Sequence, residues 1–256
     1  MKISYASDLH LEFKENTRYM EDNPLIPTGE ILLLAGDIHF LKQARSETYY
    51  PHPFWDWVSA NFRQTLVVAG NHEYYKGRDL SRMTPGSVAD IRPNIQLCHN
   101  AIVTIGDVDF ILTTLWGRIP ALDAYMIENN VSDFSQINYG HEYFSASDFN
   151  REHRKSIAFL RDAVNKSANK KVVVTHHVPT ELCTSPDFKG SKLNSAFVVE
   201  LHDFIFDSPI DYWVYGHSHR NMPDVDINGT KLVCNQLGYI MDDEESSFKA
   251  DVFFEI

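Results

Sequence analysis

The stretch Thr65-Leu66-Val67-Val68-Ala69-Gly70-Asn71-His72-Glu73 passes from an apolar, β-branched run through a small residue and a glycine into a cluster of polar side chains. The apolar part reads as a buried strand. The glycine permits a sharp exit and a close approach of the backbone to a small site. The same pattern recurs along the chain: residues 3–6 precede Asp8-x-His10, 31–35 precede Gly36-Asp37, 171–175 precede His176-His177, and 212–215 precede Gly216-His217-x-His219. In open α/β sheets, ligands gather beyond the carboxyl ends of strands, so motifs far apart in sequence can converge there.

Further strand-like runs cover 108–113, 230–234 and 252–256. The spacing predicts a helix over 147–166, with Phe149, His153, Ile157, Leu160 and Val164 on one face and Ser147 or Asp148 as its cap. A second is expected over 194–206, turning Phe197, Leu201, Phe204 and Ile205 inward, and a third over 54–62. Alternating strands and helices followed by closely spaced strands indicate a mixed-sheet α/β fold. Residues 74–94 and 116–146 are polar, aromatic and weakly periodic, and read as long excursions of the kind that carry function. No linker divides the sequence, so 1–256 is expected to form one domain.

Composition narrows the partners. The 23 Lys plus Arg against 35 Asp plus Glu give a formal charge of -12, which repels a polyanion over most of the surface. Long nucleic acid is a poor partner; a small phosphorylated substrate remains compatible if bound cations reverse the field locally. Three cysteines, Cys98, Cys183 and Cys234, lack paired spacing and read as reduced thiols. The N-terminus enters a strand-like run directly, and no apolar stretch reaches the roughly 18 residues of a membrane span. A cytoplasmic location is the expectation.

Asp8 and His10 are two apart, as are His217 and His219, which in an extended segment puts both side chains on one side. Taken alone, Asp8 or Asp37 fits an ordinary strand-end turn. Together, Asp8, His10, Asp37, Asn71, His176, His217 and His219 exceed what one ion needs. Two ions are the simpler account, with one carboxylate between them and a shared hydroxide for in-line displacement at phosphorus. These donors suit Mn, Fe, Co, Ni or Zn.

The ordered series resembles the signature of the calcineurin-like metallophosphoesterase superfamily, from Asp8 to His219. The resemblance implies a four-layer αββα sandwich of two mixed sheets flanked by helices. It implies that Asp8, His10 and His219 hold one ion, that Asp37 bridges, and that Asn71, His176 and His217 complete the second site. It also implies that His72 acts on the leaving-group oxygen as a general acid or phosphate contact, without binding metal. Two departures stand out. Many members have an acidic residue three positions after the bridging aspartate, where this chain has Phe40, and the protein serine/threonine phosphatases follow with Arg-Gly, where Leu41-Lys42 stands. The segments 113–116 and 234–239 are similar to those of small bacterial and phage-type members.

The remaining candidates have blander alternatives. His39 and His177 could touch substrate or simply pack, and Trp116 could wall the site with Tyr74, Tyr75, Tyr125, Tyr139 and Tyr143 or anchor the core. Glu73 reads as a partner for a ligating imidazole or as a helix-start acid. The run Asp242-Asp243-Glu244-Glu245 reads as a solvated turn. The implied reaction is hydrolysis of a phosphomonoester or phosphodiester. The rivals are a nuclease of the same superfamily and a non-catalytic scaffold.

Overall fold

The computed structural model describes residues 1–40, 51–76 and 78–256. In chain order the strands are β1 (Lys2–Ala6), β2 (Ile31–Leu34), β3 (Gln64–Val68), β4 (Ser87–Arg92), β5 (Ile95–His99), β6 (Ala101–Ile105), β7 (Val108–Thr113), β8 (Asn138–Tyr139), β9 (Glu142–Tyr143), β10 (Lys170–Thr175), β11 (Tyr212–Tyr215), β12 (Val225–Ile227), β13 (Thr230–Cys234) and β14 (Phe253–Glu255). The α-helices are α1 (Lys14–Asp22), α2 (Pro53–Asn61), α3 (Ala124–Asn130), α4 (Asp133–Gln136), α5 (Ala146–Ala163) and α6 (His202–Phe206).

Two six-stranded sheets run β14-β1-β2-β3-β5-β4 and β12-β13-β11-β10-β7-β6. In each, four central strands are parallel and both edge strands antiparallel. Strand periodicity explains the layering. Ile3, Ile31, Leu33, Leu66 and Val68 of the first sheet meet Phe110, Leu112, Val172, Val174 and Val214 of the second in one core. The intervening Leu32, Leu34 and Val67 turn outward to Trp55 and Val58 of α2 and Met20 of α1. On the far side, Ile111, Val173 and Trp213 pack on Leu160 and Ala163 of α5 and Ile205 of α6. Strands buried on both faces explain the continuous apolar runs. The result is the expected four-layer sandwich.

Local details differ from expectation. The long helix is α5, and Ser145 caps it: the Ser145 hydroxyl accepts from the Asp148 N–H, and the Asp148 carboxylate accepts from the Ser145 N–H. The expected helix over 194–206 is interrupted. A single 3-10 turn, Asn194–Ala196, is followed by irregular backbone before α6, because Val198 and Val199 bond to Val178 through an isolated parallel bridge; for β-branched residues this pairing outweighs helical periodicity. Within 74–94, Ser87–Arg92 is framework, the antiparallel edge strand β4. The excursion 116–146 holds α3, α4 and the β8-β9 hairpin. Leu41 and Lys42 lie outside the described residues.

Candidate metal centre and cleft

β1, β2, β3, β10 and β11 deliver their motifs to one place, and the candidate ligands themselves make the turns. Asp8, His10, Asp37, His217 and His219 have φ of 55°, 48°, 55°, 77° and 51°. Left-handed backbone at a residue with a side chain costs about 1–3 kcal/mol and persists only where surroundings over-determine it. The pairs Asp8/His10 and His217/His219 therefore converge through kinked backbone, which corrects the expectation of an extended segment.

Buried carboxylates hold these turns. The Asp8 carboxylate accepts the His217 N–H at 3.0 and 3.1 Å, and Asp37 Oδ1 accepts the His72 N–H at 2.9 Å. Glu73 accepts N–H groups of Asp37, Ile38 and Gly70 at 2.9, 2.7 and 2.6 Å. It clamps the exits of β2 and β3 to each other and pairs with no imidazole, and burial together with the nearby Asp37 charge pushes its carboxyl up to about 7. Space is equally tight. A Cβ on Gly70 would collide with the Asp37 carboxylate and the His176 ring, and one on Gly216 would sit 2.6 Å from Asp8 Oδ2.

Among the described residues, two of the three groups of donor atoms mutually within 4.8 Å are Asp8, His10, Asp37 and His219, and Asp37, His176 and His217. Asp37 belongs to both. Asn71 adjoins the second group, its Oδ1 3.0 Å from His176 Nε2.

Hydrogen bonding aims lone pairs inward. His10 Nδ1–H donates to Glu12 Oε1 at 3.0 Å and His219 Nδ1–H to Glu244 Oε2 at 2.7 Å, yet the two Nε2 atoms face each other at 2.9 Å. His176 Nδ1–H donates to the Ala35 carbonyl, which leaves Nε2 as a lone pair against Asn71 Oδ1 and, at 3.4 Å, Asp37 Oδ2. Asn71 cannot relieve this by flipping, because its Nδ2 donates to Asp133 Oδ1 and the Tyr75 hydroxyl oxygen. His217 Nε2 is buried with no partner among the described residues. Acceptors converging on acceptors in a buried space require a proton or a cation between them. The field matches: although burial opposes it, Asp37 and Asp8 raise His176 to about 10, and His176 in turn holds Asp37 well below the usual carboxylate range despite its burial. The donor set therefore fits intermediate divalent ions.

His72 stands beside this set. Its Nδ1–H donates to Glu12 Oε1 at 2.8 Å, its ring stacks on Tyr75 at 4.2 Å between centroids, and its Nε2 is 3.3 Å from the Tyr239 hydroxyl at the cleft. Burial alone would lower its pKa; Asp37 and Glu12 overcome that and raise it to about 9. The close trio His10, Glu12 and His72 is thus accounted for by hydrogen bonds.

Three carboxylates escaped the sequence reading: Glu12, Glu244, and Asp133, which holds the Asn71 amide. Glu12 supplies what position 40 lacks, while Phe40 lies parallel to the His72 ring at 6.4 Å. Local spacing does not signal Glu12, because the left-handed turns at Asp8 and His10 break the alternation of an extended strand. Glu244, read with its neighbours as a solvated turn, instead orients His219 and binds Arg220 at 2.9 Å. Although burial works against it, His219 and the Tyr239 N–H bring its carboxyl down to about 2.

A cavity of about 390 Å³ opens over Asp37, Asn71, His72, His217 and His219. The three candidate substrate contacts do not line it. His39 bonds the Phe40 carbonyl and turns its ring to His52. Trp116 is 1% exposed and packs on Phe144, Phe149 and His177. His177 is buried behind His217, its ring 4.2 Å away, and burial pushes it down to about 3, so it is neutral. These placements correct the expected substrate contacts. Of the tyrosines, Tyr75 lines the cleft, Tyr74 is buried, and Tyr125 and Tyr143 are exposed.

Among the described residues, no helix is long and apolar enough to cross a membrane. An uncharacterized protein of Acanthamoeba polyphaga mimivirus is 28% identical over 280 residues, spanning 99% of this chain and 96% of that protein. The crystal structure of phosphopantetheinyl hydrolase from Mycobacterium tuberculosis is similar with a TM-score of 0.66 at 16% identity, covering 97% of this chain and 93% of that one. A dimetal phosphatase from Danio rerio aligns with a TM-score of 0.44 at 11% identity, covering 92% and 87%. The family model for calcineurin-like phosphoesterases matches residues 1–221, most of the sequence, and the chain belongs to that family.

Proposed function

We propose that the protein hydrolyses a phosphomonoester or phosphodiester of a small molecule, using two divalent transition-metal ions. Asp8, His10 and His219 would hold one ion, Asn71, His176 and His217 the other, and Asp37 would contribute to both. The observation that carries this reading is the set of lone pairs on His10, His219, His176 and Asn71 that face one another. Two ions placed there supply positive charge to the phosphoryl oxygens and an activated water at neutral pH.

The chain's own side chains do the rest. Glu12 and Glu244 fix the imidazole tautomers so that Nε2 faces inward. Asp133 and Tyr75 hold the Asn71 amide with its oxygen inward. His72, held through its Nδ1–H by Glu12 and with its Nε2 at the cleft, would donate to the departing oxygen. No Lys or Arg lines the cavity among the described residues, and with the acidic surface this disfavours a nuclease that grips a polymer.

The test is reconstitution of metal-stripped protein with Mn, Fe, Co, Ni or Zn, followed by assay on a bis-aryl diester, an aryl monoester and a cyclic nucleotide. Metal-dependent hydrolysis of at least one is expected. Complete inactivity with every metal would favour a scaffold.

A further inference from the structure

The cleft extends well beyond the metal-ligand set, and its outer walls differ in character from its floor. One wall carries Val178, Phe188, Leu193, Phe197 and Val198, and small polar groups of Thr184, Ser191 and Asn194 are set among them. The Phe197 ring lies nearly parallel to that of His217, 4.7 Å between centroids, so the apolar wall begins directly at the ligand set. Tyr75 and the segment 130–133 complete the outer lining.

Charge is distributed just as unevenly. The lining contains two carboxylates beyond the ligands, Asp133 and Glu244, and, among the described residues, no Lys or Arg. The Arg220 guanidinium is engaged by Glu244 at 2.9 Å and Asp187 at 3.8 Å and rests over the Phe188 ring. Lys189 and Lys192 belong to the loop that carries the apolar wall, but they are exposed and outside the lining. A phosphoryl group on the floor meets the metal-ligand set and His72. Among the described lining residues, a second anionic group of the substrate meets apolar side chains and carboxylates and no Lys or Arg, which is costly in a partly desolvated cleft.

We infer that the cleft selects an ester with a single phosphate whose alcohol portion is uncharged and partly apolar, with a few hydroxyl or amide groups. Pyrophosphates, nucleoside diphosphates and carboxylated alcohols are discriminated against. This rests on the phosphoesterase reading for the floor of the site, and adds which alcohol the walls accept.

The experiment uses Mn-loaded protein and a matched pair, 2-naphthyl phosphate and 6-carboxy-2-naphthyl phosphate. The neutral ester should have a kcat/KM at least tenfold higher. Leu193→Lys, at a half-buried wall position, should narrow the ratio at least fivefold by giving the carboxylate a partner; Phe188→Lys, at a more exposed position, is the second variant should the first not fold. Calorimetric binding of the two corresponding naphthylphosphonates requires no turnover and should show the same order. Equal or reversed preference in the phosphonates overturns the inference, as does a ratio unmoved in a folded lysine variant. Preferential binding of the neutral phosphonate without hydrolysis of any ester would sink the phosphoesterase reading and leave the inference about the cleft standing.

Discussion

One carboxylate oxygen of Glu12 lies 2.8 Å from Nδ1 of His72 and 3.0 Å from Nδ1 of His10, and joins the candidate acid to the candidate metal ligands. Despite burial, the two imidazoles draw the Glu12 carboxyl down to about 2, so it is ionised at any working pH. An anion shared by two N–H groups fixes both rings at once.

Glu12→Gln should therefore lower turnover by about 10–100-fold, the range typical for a carboxylate behind a ligating histidine. One amide oxygen cannot replace the charge, and an amide N–H turned the wrong way opposes a ring N–H. Phe40→Asp placed on top of Glu12→Gln should recover part of the loss, because position 40 also faces the His72 ring. Steady-state kinetics of the single and double variants check this; a Glu12→Gln protein as active as the parent would contradict it.

His72→Ala should cost about 10²–10⁴ in kcat, the usual worth of a positioned acid, with metal content measured by elemental analysis left near that of the parent. The loss should be greater for alkyl esters than for nitrophenyl esters, whose leaving group needs less protonation. Equal losses on both would reassign His72 from acid to phosphate contact.

Much of the site was legible because each strand ends in a small residue and then its functional group: Ala-Gly-Asp37, Ala-Gly-Asn71 and Tyr-Gly-His217 mark their own positions. The sheets were legible for a related reason, since doubly buried strands leave unbroken apolar runs. What escaped depends on contacts that no local pattern encodes. Glu244 reaches His219 across 25 residues; Val198 and Val199 abandon a helix for Val178; and Trp116, following a strand as a site residue would, turns into the core between Phe144 and Phe149.

Gly70→Ala tests the close packing behind the Asp37 carboxylate. The added methyl has no room beside Asp37 and His176, so one of them must shift. Overpacking of this kind costs roughly 1–3 kcal/mol of stability, and displaced ligands should weaken metal binding at least tenfold, by analogy with perturbed outer-shell partners. Thermal denaturation with and without metal separates the two effects. Unchanged metal affinity would show that Asp37 tolerates displacement.

His99 predicts an acid-sensitive component of stability remote from the ligands. Its ring is buried with no hydrogen-bond partner among the described residues, and burial lowers it to about 4, with Lys155 adding to the shift and Glu152 opposing it. The folded state thus binds fewer protons than the unfolded chain, whose histidine titrates near 6.5. The contribution is complete above about pH 6.5 and is lost as pH falls towards 4, to a total of order 3 kcal/mol. Comparing urea unfolding of the parent and His99→Leu in chelator across pH 7 to 4 should show a shallower decline in the variant; parallel curves would contradict the assignment.

The most direct measurement is metal stoichiometry against activity. Stripped protein titrated with Mn(II) should bind two ions per chain, show a spin-coupled pair by electron paramagnetic resonance, and gain hydrolysis with the second equivalent. Asp37→Asn, which weakens the carboxylate common to both donor groups, should remove the coupling and most of the turnover. Saturation at one ion with full activity, or a coupled and active Asp37→Asn protein, would contradict the account.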